Sequence, residues 1–154
     1  MTSDTTQSLP WPAEALIPHR KPMRLVDQLI AFNDQGGTVE AFVPADSPLL
    51  DKDAQLDPLA TAEMMAQAFA AVKGYDDYLC GQSVKQGFLV AIRKIQFLGD
   101  VFAGDCLQVT VNLVGAIAGF AVVAGEVKRD REIIARGELK LWIREDSPPE
   151  SDIK

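Results

Sequence analysis

Two residues in the middle of the chain stand out for their chemistry. Glu63 and Gln67 are spaced i, i+4, which places them on one face of a helix. Their neighbours are Ala62, Met64, Met65, Ala66, Ala68 and Phe69. A carboxylate in such surroundings is costly unless it finds partners. An apolar setting also pushes its pKa up, toward the range used by a general acid or base. The competing reading is that this face is open to water and both side chains are simply solvated. The chain holds one histidine, His19, within Pro18-His19-Arg20-Lys21-Pro22. Histidine-dependent proton transfer must use His19 or a residue of another chain. A structural, hydrogen-bonding role is its alternative. Arg20 and Lys21, with Arg93 and Lys94 further along, are either ordinary solvated charge or, if brought together, a receiver for a phosphate or for the acidic surface of a carrier protein.

Composition narrows the remaining chemistry. Fifteen Lys and Arg against 22 Asp and Glu give a net charge of −7, which argues against sequence-independent nucleic-acid binding. Two Cys and one His are too few for a Cys/His zinc site within one chain or for a disulfide framework. The sequence has no Gly-rich phosphate loop, metal-ligand spacing or nucleophile elbow, so neither metal nor cofactor is expected. Met1 to Ser8 is polar and unlike a signal peptide. The longest uncharged stretch, Cys106 to Gly125, is broken by Gln108, Thr110 and Asn112 and alternates in part with period two. It reads as strands rather than a membrane span. With both cysteines expected to be reduced, the expected location is the cytoplasm.

The elements that must position these residues follow from the pattern. The length of 154 residues and a hydrophobic fraction of 47% suit one packed domain. It is expected over residues 13–145, between flexible tails at 1–12 and 146–154. Asp57 is a plausible N-cap, Pro58 fits the first helical position, and Leu59 to Val72 is rich in helix formers, with Gly74 as the stop. Ala13 to Ile17 suits a helical turn or two. Strands are expected at Met23–Phe32, Thr38–Val43, Phe88–Phe97, Cys106–Val114, Phe120–Lys128 and Glu132–Ile143, with turns at Asn33–Gly37, Val101–Asp105 and Arg129–Arg131. Short connections between successive strands imply an antiparallel sheet. The resulting class is α+β: a curved antiparallel sheet wrapped around one long apolar helix. The uncovered face of that helix suggests pairing with a second copy.

Taken together, these residues resemble the β-hydroxyacyl-acyl-carrier-protein dehydratases, which have the hot-dog fold. Leu16-Ile17-Pro18-His19-Arg20-Lys21-Pro22-Met23-Arg24-Leu25-Val26-Asp27 is similar to the family's Leu-Pro-His-Arg, Pro, Leu-Val-Asp opening. Glu63-Met64-Met65-Ala66-Gln67-Ala68 is similar to its Glu-Ala-Met-Ala-Gln-Ala helix. Arg93-Lys94-Ile95-Gln96-Phe97 and Phe102-Ala103-Gly104-Asp105 resemble its strand and its Pro-Gly-Asp turn. The resemblance runs from about Leu16 to Ile143.

It implies a dimer of hot-dog subunits with sites at the subunit interface. It also implies a 3-hydroxyacyl thioester on acyl carrier protein or coenzyme A as substrate, and elimination of water to a trans-2-enoyl thioester. Glu63 matches the family's catalytic acidic residue, and Gln67 the helical Gln near the site. The family's catalytic His, in a His-Phe-Pro-Gly segment before the helix, has no counterpart in Asp46 to Asp57, and His19 matches a different, non-catalytic position. The departure resembles a divergent branch found with aryl-polyene-type biosynthesis, in which dehydratase-like subunits pair with a second, different subunit.

On this reading Glu63 handles the leaving hydroxyl, and the base is His19, a partner-chain residue, or absent. Gln67, Phe88, Leu89, Arg93 and Lys94 are the candidates for binding substrate. Amides at the helix start are candidates for polarising the thioester carbonyl, although Pro58 supplies none. The alternatives are a hot-dog acyl thioesterase, in which Glu63 activates water, and a non-catalytic acyl-binding or heterodimer subunit.

Overall fold

The computed structural model describes residues 9–83 and 85–144. It contains one 21-residue helix, α1 (Leu59–Leu79), and seven strands. These are β1 (Trp11–Pro12), β2 (Gln28–Asn33), β3 (Gly36–Phe42), β4 (Gln86–Phe97), β5 (Cys106–Ile117), β6 (Phe120–Arg129) and β7 (Glu132–Arg144). The strands form one antiparallel sheet in the order β1-β2-β3-β5-β6-β7-β4. The sheet curves around α1, as the α+β reading requires. No helix among the described residues is long and apolar enough to cross a membrane.

The period-two pattern explains which face meets the helix. In β6, Ala121, Val123, Gly125 and Val127 are buried, while Val122, Ala124 and Glu126 between them are only partly covered. Gly125 belongs to the inward set, and a Cβ there would run into the Met65 side chain, so the sheet lies directly on the helix. Leu139 and Leu141 of β7 and Val109 and Val111 of β5 complete that wall around Met64, Met65, Ala68 and Val72.

Local chemistry sets the element ends. The N–H of Leu59 donates to Asp57 Oδ1 (3.0 Å), and the N–H of Ala60 to the Asp57 carbonyl (2.9 Å). Pro58 already has helical dihedrals (φ −55°, ψ −32°). Asp57 therefore caps the helix and Pro58 sits in its first turn. Asn33 Oδ1 accepts from Gln35 and Gly36 N–H and closes the β2–β3 turn. The Phe102–Asp105 turn is held by Asp105 Oδ2, which accepts from the Phe102 N–H (2.9 Å) and from Arg129 Nη1 (2.7 Å). Arg129 also bonds Glu132 (2.9 Å). These bonds, to Glu132 and then Asp105, hold the Arg129 pKa above its ordinary value.

Three expectations are corrected. The helix does not stop at Gly74 but continues to Leu79. Gly74 is there for contact, since a Cβ would collide with the Leu16 carbonyl of the segment crossing the helix. Met23 to Asp27 is not strand. That stretch bends across α1, and β2 begins only at Gln28. Trp11 and Pro12, expected in the tail, form β1 against β2, with the Trp11 ring packed on Tyr75 and Tyr78. The rest of the expected tails, Met1 to Ser8 and 146–154, lies outside the described residues.

Gly74→Ala should lower stability by about 1–3 kcal/mol through overpacking, although alanine is the better helix former by about 1 kcal/mol. Chemical denaturation of the two proteins checks the sign, and a more stable variant would refute the close approach.

Candidate active site

Glu63 lies in the second turn of α1 and faces the loop after the 3-10 turn at Ala13–Ala15. That loop carries His19, whose Nε2 lies 3.8 Å from Glu63 Oε1. The 3-10 turn ends at Ala15, with Leu16 as its C-cap, and Arg20 pins the loop by donating from Nη1 to the carbonyls of Ile17 (2.9 Å) and His19 (2.8 Å). The lone histidine, 44 positions before Glu63 in sequence, is thereby brought beside the helix carboxylate. The other imidazole nitrogen, Nδ1, is buried and has no hydrogen-bond partner.

Gln67 is buried, and its amide is fully engaged. Oε1 accepts from the Leu25 N–H (2.7 Å). Nε2 donates to the Met23 carbonyl (2.8 Å) and to Glu63 Oε1 (3.0 Å). One side chain therefore fastens the crossing segment to the helix and orients the carboxylate. Both ends of the Gln67 amide are thus engaged within the chain.

The apolar neighbours of Glu63 suggested a desolvated carboxylate. The structure corrects this: the Glu63 side chain is 40% exposed and that of His19 30%. The apolar residues around Glu63 point into the sheet, whereas Glu63 lies on the stripe of α1 that opens into a groove. His19, Glu63, Gln67, Ala66, Phe69, Ala70, Lys73 and Asp77 line it together with Lys85, Gly87, Leu89, Leu141 and Ile143. Its middle is apolar and its helix wall is made of small residues.

The remaining sequence candidates divide between the two faces of the sheet. Leu89 lines the groove. Phe88, its neighbour, faces the other way and stacks on Trp142 (centroids 5.8 Å apart), as alternation along a strand demands. Lys94 pairs with Glu138 at 3.8 Å. Glu138 precedes the buried Leu139 and so also lies on the outer face. Arg93 is exposed on β4 and is not among the groove residues. Phe88, Arg93 and Lys94 are thus corrected as groove residues of this chain. The four basic candidates do not cluster either: Arg20 holds its own loop, Lys21 lines a separate depression with Arg24, Asp27 and Asp46, and Lys94 is on the far face. The helix start is also corrected as an oxyanion site. Its first amides, Leu59, Ala60 and Thr61, are taken by Asp57 and the Pro58 carbonyl. Among the described residues, no group of three or more His, Cys, Asp or Glu is placed to hold a metal ion.

Sequence reading missed the far half of the groove. Lys73 and Asp77 follow Glu63 by 10 and 14 residues, on the same helical stripe. The helix was expected to end at Gly74, which removed Asp77 from view.

Comparison with known proteins bears on the fold and the family. The family model described as ApeP dehydratase, of the ApeP-like family, matches residues 11–150. The 3-hydroxyacyl-[acyl-carrier-protein] dehydratase FabZ of Shewanella woodyi is 26% identical over 136 residues, covering 85% of this chain and 89% of that protein. The enzyme of the same name from Solibacter usitatus is 27% identical over 139 residues, covering 88% and 86%. Among solved structures, a chain of the dehydratase heterocomplex ApeI:P from Xenorhabdus doucetiae superposes with a TM-score of 0.81 at 25% identity, covering 88% of this chain and 93% of that one. One helix wrapped by a seven-stranded antiparallel sheet is thus a hot-dog fold, and the chain belongs to the ApeP-like dehydratase family.

Proposed function

We propose that this protein is a dehydratase subunit of fatty-acid or polyene-type biosynthesis. It eliminates water from a 3-hydroxyacyl thioester of acyl carrier protein to give the trans-2-enoyl thioester, with Glu63 and His19 at the reacting atoms. The observation that carries this reading is the approach of His19 Nε2 to Glu63 Oε1, at 3.8 Å, at one end of an apolar groove. Elimination removes a proton from one carbon and a hydroxyl from its neighbour, so it needs a base and an acid side by side. The step balances when Glu63 enters it carrying a proton: His19 takes the α proton, the electron pair left behind forms the C=C bond, and Glu63 gives its proton to the departing hydroxyl, which leaves as water. Transfer of the proton from His19 back to Glu63 resets the pair. Gln67 holds Glu63 Oε1 from the side and so fixes which carboxylate oxygen faces the imidazole. The base here is therefore supplied from the loop before β2, not from Asp46 to Asp57, where the sequence has no histidine.

A second hot-dog subunit, identical or different, completes the protein. Among the described residues β4 pairs with β7 alone, leaving one side of a 12-residue strand open. Val90, Ile92, Phe97 and Leu98 are exposed along or just beyond it. An apolar open edge of that length is normally covered. The ApeI:P heterocomplex among the similar structures supports a second, different subunit as the partner. Cys80 and Cys106 are both free, which fits a reducing cytoplasm.

Mass spectrometry of 3-hydroxyacyl-carrier-protein thioesters tests the reaction. Loss of the mass of water supports dehydration, whereas release of free acid would indicate hydrolysis and overturn this reading. Glu63→Gln and His19→Ala should each lower turnover about 10²-fold or more with little change in melting temperature. A fully active His19→Ala would return that residue to a structural role. Light scattering should find the native protein larger than a monomer, alone or with a second hot-dog subunit. Val90→Lys should shift it toward monomer, and an unchanged mass would exclude β4 as the joining edge.

A further inference from the structure

The groove extends well past the proton-transfer pair. Glu63, Ala66, Gln67, Ala70, Lys73 and Asp77 fall on one stripe of α1, and at ~1.5 Å per residue the stripe from Glu63 to Asp77 is about 21 Å long. Between its ends the walls are Ala66, Phe69, Ala70, Leu89, Leu141 and Ile143. The far end is polar. The Asp77 side chain is 4% exposed, and Lys85 Nζ lies 3.8 Å from its Oδ1. Asp77 Oδ2 is buried with no hydrogen-bond partner. Lys73, also at this end, is drawn to Asp76 at 3.7 Å.

We propose that Asp77, paired with Lys85, is a polar stop that sets how far an acyl chain can extend along α1, making it a specificity-determining position. The inference rests on the dehydratase reading, because it takes the groove to hold the acyl chain. The physical cause is desolvation. Each methylene laid against the apolar middle gains from leaving water. A methyl end that reaches the pair covers the Lys85 side chain, still 27% exposed, and offers no proton to the free Asp77 oxygen, a loss that exceeds the gain from one more methylene. Chains ending before the stop are retained, and longer ones must bend out of the groove.

The test is a binding series of saturated acyl-pantetheine thioethers of increasing length on the full-length protein, read by calorimetry as affinity relative to the shortest chain. Affinity should rise about 4-fold per methylene and then break off. In Asp77→Leu the rise should continue through several more methylenes. Ala70→Leu, which fills the groove halfway, should bring the break to shorter chains. No break in the native protein, an unmoved break in either variant, or an equal loss at every length in Asp77→Leu would each overturn the stop. If Asp77→Leu does not fold, the similarly sized Asp77→Asn takes its place: the break must soften, and an unchanged break overturns the proposal. Turnover of a short 3-hydroxyacyl-carrier-protein thioester is measured alongside. A preserved length break without turnover removes the dehydratase reading alone, and turnover without a break removes the stop alone.

Discussion

The buried amide of Gln67 is the contact on which the site depends. A primary amide offers two donor hydrogens and an acceptor oxygen, and here both ends are in use: one hydrogen-bonds Leu25, the other Met23 and Glu63. An apolar side chain at this position would leave a backbone N–H and a backbone carbonyl without partners where water does not readily reach them, at a cost of about 1–3 kcal/mol for each such group. The same loss would free the segment that carries His19. One side chain thus holds both the crossing segment and the Glu63 carboxylate. Gly74 contributes from the other side, because only a residue without a Cβ lets the Leu16 carbonyl settle against the helix.

Much of this was legible in the sequence, for reasons that differ by element. β5 and β6 follow a period-two pattern, because one face of each packs on α1 and the other does not. The start of α1 was legible because Asp57 and Pro58 act locally, through bonds to the next two residues. The end of α1 was not. Glycine usually signals termination, yet Gly74 answers to a carbonyl 58 positions earlier in the chain, and tertiary contact overrides local propensity there. Met23 to Asp27 has the composition of a strand, but the hydrogen bond of Leu25 to Gln67 holds it across the helix instead.

The candidate site was legible in its residue types and not in its geometry. Glu63 and Gln67 were visible from their spacing, and His19 from being the single histidine. Whether the imidazole reaches the carboxylate depends on a loop path that no local pattern encodes. The substrate candidates on β4 show the same limit. Leu89 and Phe88 are adjacent and similarly apolar, yet the pleat sends one into the groove and the other onto Trp142. Bulges near Leu89 and Arg93 shift the alternation further, so the face of each later residue cannot be counted from the strand's beginning.

The bare side of β4 has a consequence for the life of the protein in a cell. A newly made chain shows an open row of backbone donors and acceptors flanked by apolar side chains, a template for strand addition by any extended segment nearby. Until that row is covered, the chain competes with chaperones, proteases and other copies of itself. A partner that paired with the row would stabilise the folded chain by mass action, and its supply would then set how much of the chain escapes unfolding and proteolysis.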